Sequence, residues 1–407
     1  MKKLFVLAFA MILAMTFSFV GQPVQAEGET YEVAMITDSG TIDDRSFNQG
    51  TWEGIVEFCD NNSLTYKYYQ PAEVSDEAYL DAIDLAIAGG AQIVVTPGFL
   101  FESSVYTAQT ENPDVKFVLI DGTPHTPDYA TFFTADNTLN ILFNEHESGF
   151  LAGYAAVMDG YRSLGFTGGM AVPAVVKFGV GFVAGAYYAA AELGVTIDLG
   201  DDTYTYFGDF GASDEHKNLA SSWYVSGTEI IFAAAGGAGS SVMAAAADNS
   251  AMMIGVDVDQ SNLSDTVLTS AMKLLAVAVQ DALQDYLDDT FVGGQTITMS
   301  AANNGVGLPT ESYTSGTETI DPWRFENFTV AQYNTILGKL QDGTVVVPAN
   351  YADLVTFLGD ATGYPQQCTI EGTECPVAET SNAWIYAVVA VVVVAAAGGA
   401  FFFLKKK

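Results

Sequence analysis

Short apolar segments alternate with longer segments of helical periodicity through most of this chain. Residues 31–36, 66–69, 92–96 and 116–120 are rich in apolar or aromatic residues and have the length of strands. The segments between them repeat their apolar residues every three to four positions, as amphipathic helices do. Strands that alternate with helices form βαβ units, which pair their strands in parallel and cover both faces of the sheet. The pattern therefore predicts an α/β fold.

A second series of this kind follows the first. Residues 132–137 break the rhythm, and a helix predicted at 145–158 opens the next series. The later strands are predicted at 163–166, 203–207, 230–233 and 252–256, and the later helices at 174–193, 214–224 and 240–248. Two successive α/β series predict two Rossmann-like lobes that face each other as a clamshell.

We expect the end of the second series to return to the first lobe. The strand predicted at 267–269 and the helix at 271–287 are assigned to the first lobe, and segments 296–306 and 330–340 to the second. The predicted lobe boundaries are 27–137 with 266–298 for the first lobe, and 138–265 with 299–360 for the second.

Both ends of the chain carry apolar segments. Two lysines, an apolar run and small residues before Ala26 predict a secretory signal peptide at residues 1–26. Residues 384–404 contain no charged side chain and precede three lysines, which predicts a transmembrane helix and a cytoplasmic tail at 405–407. Residues 361–383 would be the juxtamembrane linker. We therefore expect a single-pass protein of the cell membrane with its lobes outside the cell.

The chain is strongly acidic. Its 49 Asp and Glu residues against 14 Lys and Arg residues give a formal net charge of -35. A surface of this charge repels nucleic acids and anionic lipid headgroups, so we expect no nucleic-acid partner. Such a surface suits a saline or cation-rich exterior, although solubility alone would also account for it.

A polar loop that contains glycines, residues 37–50 (TDSGTIDDRSFNQG), follows the first predicted strand. In open α/β sheets, ligands bind in the crevice outside the carboxyl ends of the strands. Asp38, Phe47 and Asn48 supply a carboxylate, an aromatic face and an amide, which together suit a planar polar ligand. The alternative is an ordinary turn whose side chains cap the following helix.

Signatures of enzymes and metal sites are incomplete in this chain. Residues 236–241 are rich in glycine but lack the Gly-Lys-Ser/Thr of a phosphate-binding loop. Residues 179–185 have one residue too many for a dinucleotide fingerprint, and close helix packing is the better interpretation. The segment from Asp257 begins like a calcium loop, but Asn262 and Leu268 replace the required glycine and acid. The three histidines have no metal-ligand spacing or nucleophile nearby and are interpreted as surface residues. We expect no metal, cofactor or catalytic residue.

Further motifs follow the polar loop in a specific order. They are residues 147–153 (ESGFLAG), 168–170 (GGM) with Phe178, 181–185 (GFVAG), 234–239 (AAGGAG), 255–260 (GVDVDQ) and 268–273 (LTSAMK). With the loop, this series resembles the basic membrane protein family, the purine nucleoside receptor type of substrate-binding protein that serves ABC importers. The resemblance covers residues 31–347 and implies a periplasmic-binding-protein type I clamshell.

The resemblance also implies which residues hold the nucleobase. Two phenylalanines, one from each lobe, clamp the base in this family, and they correspond to Phe47 and Phe210, with Phe207 as the alternative to Phe210. The carboxylate and amide that bind the base edge correspond to Asp38 and Asn48. Aromatic stacking tolerates any base, so hydrogen bonds of this kind must supply the selectivity.

In this family, other residues bind the ribose hydroxyls. The resemblance implies that they correspond to Gly236, Asp257 and Lys273. An ionised Asp257 can accept hydrogen bonds from vicinal hydroxyls, while Lys273 can donate one and balance the charge. Asp43 and Asp44, which lie beside the loop's binding residues, are interpreted as the helix cap.

The expected function is therefore that of a membrane-tethered, extracytoplasmic solute-binding protein. It would act as a monomer, bind a nucleoside of purine type between its lobes and deliver it to an ABC permease in the same membrane, without catalysis. Three alternatives remain open. They are a binder of a sugar or another small polar solute, a ligand-sensing receptor, and a nucleoside hydrolase or phosphorylase that uses Asp38 with Asp43 or Asp44.

Overall fold

Alternate residues of each central strand face opposite sides of its sheet, which explains why these strands are apolar throughout. In the first strand, Val33 and Met35 pack into one core cluster, whereas Ala34 and Ile36 pack into another on the opposite face. The computed structural model describes residues 30–315, 317–359 and 361–365. Within them, the two predicted Rossmann-like lobes are confirmed, each built on one six-stranded sheet.

The first lobe contains six strands and four helices. Its strands are β1 (Val33–Ile36), β2 (Tyr66–Tyr69), β3 (Ile93–Pro97), β4 (Lys116–Ile120), β5 (Thr138–Phe143) and β11 (Gln295–Met299). Its helices are α1 (Phe47–Asn62), α2 (Asp76–Ala88), α3 (Glu102–Glu111) and α8 (Leu275–Leu287). The strands lie in the order β11-β5-β4-β3-β1-β2, and all neighbours are parallel. Helices α1 and α8 cover one face, and α2 and α3 cover the other.

The second lobe repeats this plan. Its strands are β6 (Leu164–Gly168), β7 (Tyr204–Tyr206), β8 (Ile230–Ala234), β9 (Met252–Asp257), β10 (Val267–Lys273) and β12 (Val306–Gly307). Its helices are α4 (Glu145–Asp159), α5 (Pro173–Leu193), α6 (Asp214–Ser226) and α7 (Gly239–Asn249). The order is β12-β10-β9-β8-β6-β7, and only the short β12 is antiparallel to its neighbour. Helices α4 and α5 cover one face, and α6 and α7 cover the other.

A hairpin and two helices complete the described part of the chain. The hairpin consists of β13 (Tyr313–Ser315) and β14 (Glu318–Ile320). Helices α9 (Val330–Gln341) and α10 (Tyr351–Leu358) pack on α4 and α5, respectively. These C-terminal helices therefore belong to the second lobe.

The two lobes share one connectivity, so each strand of the first has an equivalent in the second. The order β5-β4-β3-β1-β2 corresponds to β10-β9-β8-β6-β7, which makes β4 equivalent to β9. Residues that follow β1, β4 and β6, and the last residues of β9, line one common cavity. The carboxyl ends of both sheets therefore face the space between the lobes, where open α/β sheets bind ligands.

Two of the predicted lobe boundaries were wrong by one strand each. Residues 138–143 form β5 in the first sheet, and residues 267–273 form β10 in the second. The neighbouring strand decides which sheet a strand joins: β5 pairs with β4, and β10 pairs with β9. Residues 271–273 were predicted as the start of a helix. They instead form the end of β10, the strand that pairs with β9. The segment 296–306, placed with the second lobe, begins within β11, which pairs with β5 in the first.

The chain passes between the lobes after β5, β10 and β11. The Asn144 amide donates a hydrogen bond to the Met299 carbonyl (2.8 Å), and the Ala301 amide donates to the Glu147 carboxylate (2.6 Å). These bonds join the first crossing segment to the third. The crossings therefore form one connected region at the base of the space between the lobes.

Two of the three histidines are buried, so their interpretation as surface residues was wrong. His125 is 3% exposed, lies 3.1 Å from the Glu102 carboxylate and stacks on Tyr129. His216 is 6% exposed and stacks on Phe207. Each is buried because an aromatic ring covers its face while a neighbouring group accepts a hydrogen bond from its edge.

Helices α4 and α5 are in contact backbone to backbone. A Cβ atom at Gly149 or Gly153 would overlap a carbonyl oxygen of α5, and one at Gly181 or Gly185 would overlap a carbonyl oxygen of α4. Only glycine allows the two helices to approach so closely. The interpretation of residues 179–185 as a helix-packing motif is confirmed.

Among the described residues, α5 is the one helix long and apolar enough to cross a membrane. Its most apolar part is 72% buried inside the protein, so α5 is a core helix. The predicted signal peptide at 1–26, the transmembrane helix at 384–404 and the tail at 405–407 lie outside the described residues.

The glycine contact between α4 and α5 can be tested by adding one methyl group. We expect Gly185→Ala to lower the free energy of unfolding by about 1–3 kcal/mol, because its Cβ overlaps the Phe150 carbonyl. Gly338→Ala in α9 is the matched control. No atom lies within 4 Å of its new Cβ, so it should raise the free energy of unfolding by about 0.5–1 kcal/mol. Urea unfolding followed by circular dichroism measures both. Stabilisation by Gly185→Ala would contradict the contact.

Candidate ligand-binding site

A cavity of about 810 Å³ lies between the carboxyl ends of the two sheets. All seven residues predicted to bind ligand line this cavity. They are Asp38, Phe47 and Asn48 from the first lobe, and Phe210, Gly236, Asp257 and Lys273 from the second. The fold therefore brings together side chains that are as far as 235 positions apart in the sequence.

The loop after β1 is held by the side chain of Asp44. This carboxylate accepts hydrogen bonds from the amides of Ser46 (2.9 Å) and Asn48 (3.0 Å) and so caps the first turn of α1. The predicted cap is confirmed for Asp44. Asp43 instead is exposed and accepts a hydrogen bond from the Thr41 hydroxyl (2.5 Å).

Asn48 holds the Asp38 carboxylate in place at the cavity wall. Its amide nitrogen donates to Asp38 Oδ1 and to Asp44 Oδ2, both at 2.9 Å, and the Gly40 amide also donates to Asp38 Oδ1 (2.8 Å). Burial raises the pKa of Asp38 to about 6, and the nearby Asp44 adds to the rise while these hydrogen bonds oppose it. Asp38 is thus a positioned hydrogen-bond acceptor when its carboxylate is ionised.

Two phenylalanines line the cavity from opposite lobes. Phe47 begins α1 in the first lobe, and Phe210 lies in the loop after β7 in the second. Phe207, the alternative to Phe210, is 7% exposed and does not line the cavity, because its ring stacks on His216 with centroids 4.1 Å apart. The geometry therefore selects Phe210 as the second aromatic wall.

Lys273 lies between two carboxylates at the base of the cavity. Its ammonium group is 2.6 Å from Asp121 Oδ2 in the first lobe and 3.3 Å from Asp257 Oδ1 in the second. Its Nζ also lies 4.3 Å from the centre of the Phe47 ring, within the range of a cation–π interaction. Lys273 is the last residue of β10 and lies next to a segment that crosses between the lobes. Its ion pairs with Asp121 and Asp257 join the two lobes there.

Asp121 and Asp257 occupy equivalent places in the two sheets. Asp121 follows β4, Asp257 ends β9, and both have left-handed backbone conformations, with φ of 57° and 67°. Aspartate tolerates this region better than most residues because its short side chain can bond locally. Repetition of the lobe therefore places one carboxylate on each side of Lys273.

The carboxylates keep Lys273 charged despite its burial. Burial alone would lower the pKa of Lys273, but the charges of Asp121, Asp257 and Glu145 outweigh it and raise that pKa above its ordinary value. Glu145 is 1% exposed and pairs with Lys177 at 3.1 Å. Burial, together with the charge of Asp121, raises the pKa of Glu145 to about 7.

The prediction of site residues from sequence missed three that line or support the cavity. Asp121 and Phe178 line it directly. The centre of the Phe178 ring lies 5.6 Å from the Lys273 ammonium nitrogen. Ser46 donates a hydrogen bond to Asp257 Oδ2 (2.5 Å) across the lobes. A polar residue directly after a strand was the available signal for Asp121. Phe178 belongs to the motif series and Ser46 to the polar loop, but neither was assigned to the ligand.

The lining of the cavity combines carboxylates with aromatic walls. No histidine or cysteine is among its lining residues, and the described part of the chain holds no cluster of three or more metal-ligating side chains. Its charged groups are six carboxylates, one guanidinium group and one ammonium group, arranged around aromatic walls. Such a site suits a ligand that combines a flat ring with several hydrogen-bond donors.

The dependence of the two aspartates on Lys273 can be tested by removing its charge. We expect Lys273→Met to lower the free energy of unfolding by about 3–5 kcal/mol, because Asp121 and Asp257 would be left buried without a cation. Lys217→Met is the matched control, since its ion pair with Asp248 (2.7 Å) is exposed and should leave stability unchanged. Urea unfolding of both variants measures the difference. Equal changes in the free energy of unfolding would contradict the role of Lys273 as the partner of Asp121 and Asp257.

Comparison with known proteins identifies the family of the chain. The family model described as ABC transporter substrate-binding protein PnrA-like matches residues 31–336. The ABC transporter nucleoside-binding protein BmpA of Lactococcus lactis is 30% identical over 307 residues, which cover 70% of this chain and 83% of that protein. Basic membrane protein A of Borreliella burgdorferi is 27% identical over 335 residues, which cover 81% of this chain and 91% of that protein.

A solved structure supports the fold independently. An ABC transporter solute-binding protein from Aeropyrum pernix superposes with a TM-score of 0.68 at 20% identity, covering 80% of this chain and 96% of the other. The predicted two-lobed binding-protein fold is thereby confirmed. With the family match over residues 31–336, the resemblance seen in the sequence motifs is confirmed as well. The chain belongs to the family of PnrA-like ABC transporter substrate-binding proteins.

Proposed function

We propose that this protein binds a purine nucleoside between its lobes and delivers it to an ABC permease. The observation that carries the proposal is the pair of phenylalanines, Phe47 and Phe210, which line one cavity from opposite lobes. A flat base fits between two aromatic walls, and stacking contributes on the order of 1–3 kcal/mol per base. The lobes would close on the ligand and open to release it.

The polar groups near Phe47 suit the two ends of a nucleoside. Asp38 accepts hydrogen bonds when ionised, so it would bind an N–H on the base edge, while Asn48 keeps its carboxylate in position. At the base of the cavity, Asp257 and Lys273 would bind the ribose hydroxyls. Asp121 Oδ1 is buried without a hydrogen-bond partner among the described residues, so a hydroxyl donor would also satisfy it.

The charge of the cavity favours a nucleoside over a nucleotide. Its lining includes six aspartates but only two cationic side chains, Arg45 and Lys273. The aspartates are Asp38, Asp43, Asp44, Asp121, Asp209 and Asp257. A phosphate group would be repelled by this set, while uncharged hydroxyl and N–H donors would be attracted.

The printed name of the Lactococcus lactis relative, a nucleoside-binding protein, supports the same ligand class. The family to which the chain belongs supports a permease as its partner. We propose no catalysed reaction. In the proposed arrangement, the lobes lie outside the cell as a monomer after removal of residues 1–26. The helix at 384–404 tethers them to the membrane and raises their effective concentration near the permease.

The proposal is tested by the thermal stability of the full chain with candidate ligands. We expect inosine, adenosine or guanosine to raise the melting temperature, because a ligand that binds the folded state stabilises it. D-ribose, D-glucose and inosine 5′-monophosphate should give little or no shift. A shift with a sugar and none with any nucleoside would contradict the proposal. So would sustained release of free base, which would indicate an enzyme.

Variants connect the thermal shift to the cavity. Phe47→Ala should weaken nucleoside affinity by about 5- to 100-fold through lost stacking, and Asp257→Ala should remove most of the shift. Phe133→Ala is the matched control, because Phe133 is 51% exposed and does not line the cavity. It should bind nucleosides as the unchanged chain does.

A further inference from the structure

The ring of Phe210 lies against two glycines of its own lobe. A Cβ atom added at Gly169 would overlap ring atoms Cδ1 and Cε1 of Phe210. A Cβ atom added at Gly236 would lie 3.4 Å from Cδ1 of the same ring, an ordinary van der Waals contact. The ring therefore occupies space that a side chain at residue 169 would need, but it leaves room for one at residue 236.

The backbone around Gly169 is fixed by hydrogen bonds on two sides. The Gly169 amide donates to the Ala234 carbonyl (3.0 Å) at the end of β8, and the Gly208 amide donates to the Gly169 carbonyl (2.9 Å). Gly169 thus extends the pairing of β6 with both of its neighbours. A methyl group at this position could not be accommodated by a shift of the main chain without breaking these bonds.

The backbone of Phe210 is held as firmly as that of Gly169. The Phe210 carbonyl accepts a hydrogen bond from the Ala238 amide (2.8 Å). The flanking loop is held by His216, whose Nδ1 lies 3.0 Å from the Gly211 carbonyl oxygen and whose ring stacks on Phe207. The free part of Phe210 is its ring, which turns about the side-chain torsions. A methyl group at residue 169 would therefore displace the ring.

We infer that Gly169 is a positioning residue for ligand binding: its missing side chain lets the Phe210 ring stand where it can stack on a planar ligand. The inference rests on the proposed nucleoside function and adds to it a residue that need not touch the ligand. Gly169 does not line the cavity, whereas Phe210 does. Any effect of Gly169 on affinity should therefore pass through the ring.

The test is inosine affinity of the full chain, measured by calorimetry. We expect Gly169→Ala to raise the Kd by about 5- to 100-fold, the range that corresponds to loss of one stacking contact. Gly338→Ala is the control for a glycine-to-alanine change, since its new Cβ meets no atom within 4 Å. It should leave the Kd unchanged. An unchanged Kd for Gly169→Ala would overturn the inference.

A double-mutant cycle separates positioning from a general structural defect. Once Phe210→Ala has removed the ring, Gly169→Ala should change the Kd by less than about twofold, because only the Asp209 carbonyl oxygen, 3.1 Å from the new Cβ, remains close. Losses that multiply in the double variant would overturn the inference. If Gly169→Ala fails to fold alone, the double variant should fold, because the overlap with the ring is gone. Failure of both to fold would also overturn it.

A cycle in melting temperature without ligand distinguishes failure of this inference from failure of the proposed function. Gly169→Ala should lower the melting temperature when Phe210 is present and leave it nearly unchanged when Phe210 is alanine. This coupling is expected even if inosine does not bind. Lack of inosine binding by the unchanged chain would contradict the nucleoside function alone, and lack of coupling would contradict the role of Gly169.

Discussion

The buried ammonium group of Lys273 is the interaction on which the rest of the site depends. It pairs with Asp121 of the first lobe at 2.6 Å and with Asp257 of the second at 3.3 Å, and it lies over the Phe47 ring. A buried carboxylate without a partner is strongly unfavourable, so both aspartates require this cation. Because Lys273 ends β10 beside a crossing segment, one side chain links both lobes and the ligand cavity.

The repeated connectivity of the lobes explains how this cluster arises. An aspartate with a left-handed backbone follows β4 and another ends the equivalent strand β9, so the two carboxylates face each other across the space between the lobes. Around them, glycines set how closely other groups approach. Helices α4 and α5 meet backbone to backbone, and Gly169 leaves the space that the Phe210 ring fills. The site thus needs both side chains that can bind a ligand and glycines, such as Gly169, that leave room for those side chains.

Much of the fold could be predicted from the sequence, because most strands and helices carry clear periodicity. Strands β2 and β4 were predicted with their observed bounds, and most other elements within two residues. The lobe boundaries could not be predicted as well, because membership of a sheet depends on which strand lies alongside. Strand β5 contains the polar Asn140 and has no helix before it, and β10 runs into α8 with only Leu274 between them.

Seven ligand-binding residues were predicted from the resemblance of the sequence motifs to a known family. All seven line one cavity. The choice between Phe207 and Phe210 needed the structure, because both follow a short strand and only the packing of His216 separates them. Asp121 was missed because its proximity to Lys273, 152 positions away, depends on sheet order. The position of Gly169 against Phe210 has no sequence signal, since a glycine after a strand is commonly only a turn residue.

The most direct test of the account is a crystal structure of the chain grown with inosine. The account predicts the base between the Phe47 and Phe210 rings, with Asp38 at its edge and the ribose hydroxyls within hydrogen-bond distance of Asp257 and Lys273. A base bound away from both rings, or an empty cavity at saturating inosine, would contradict it.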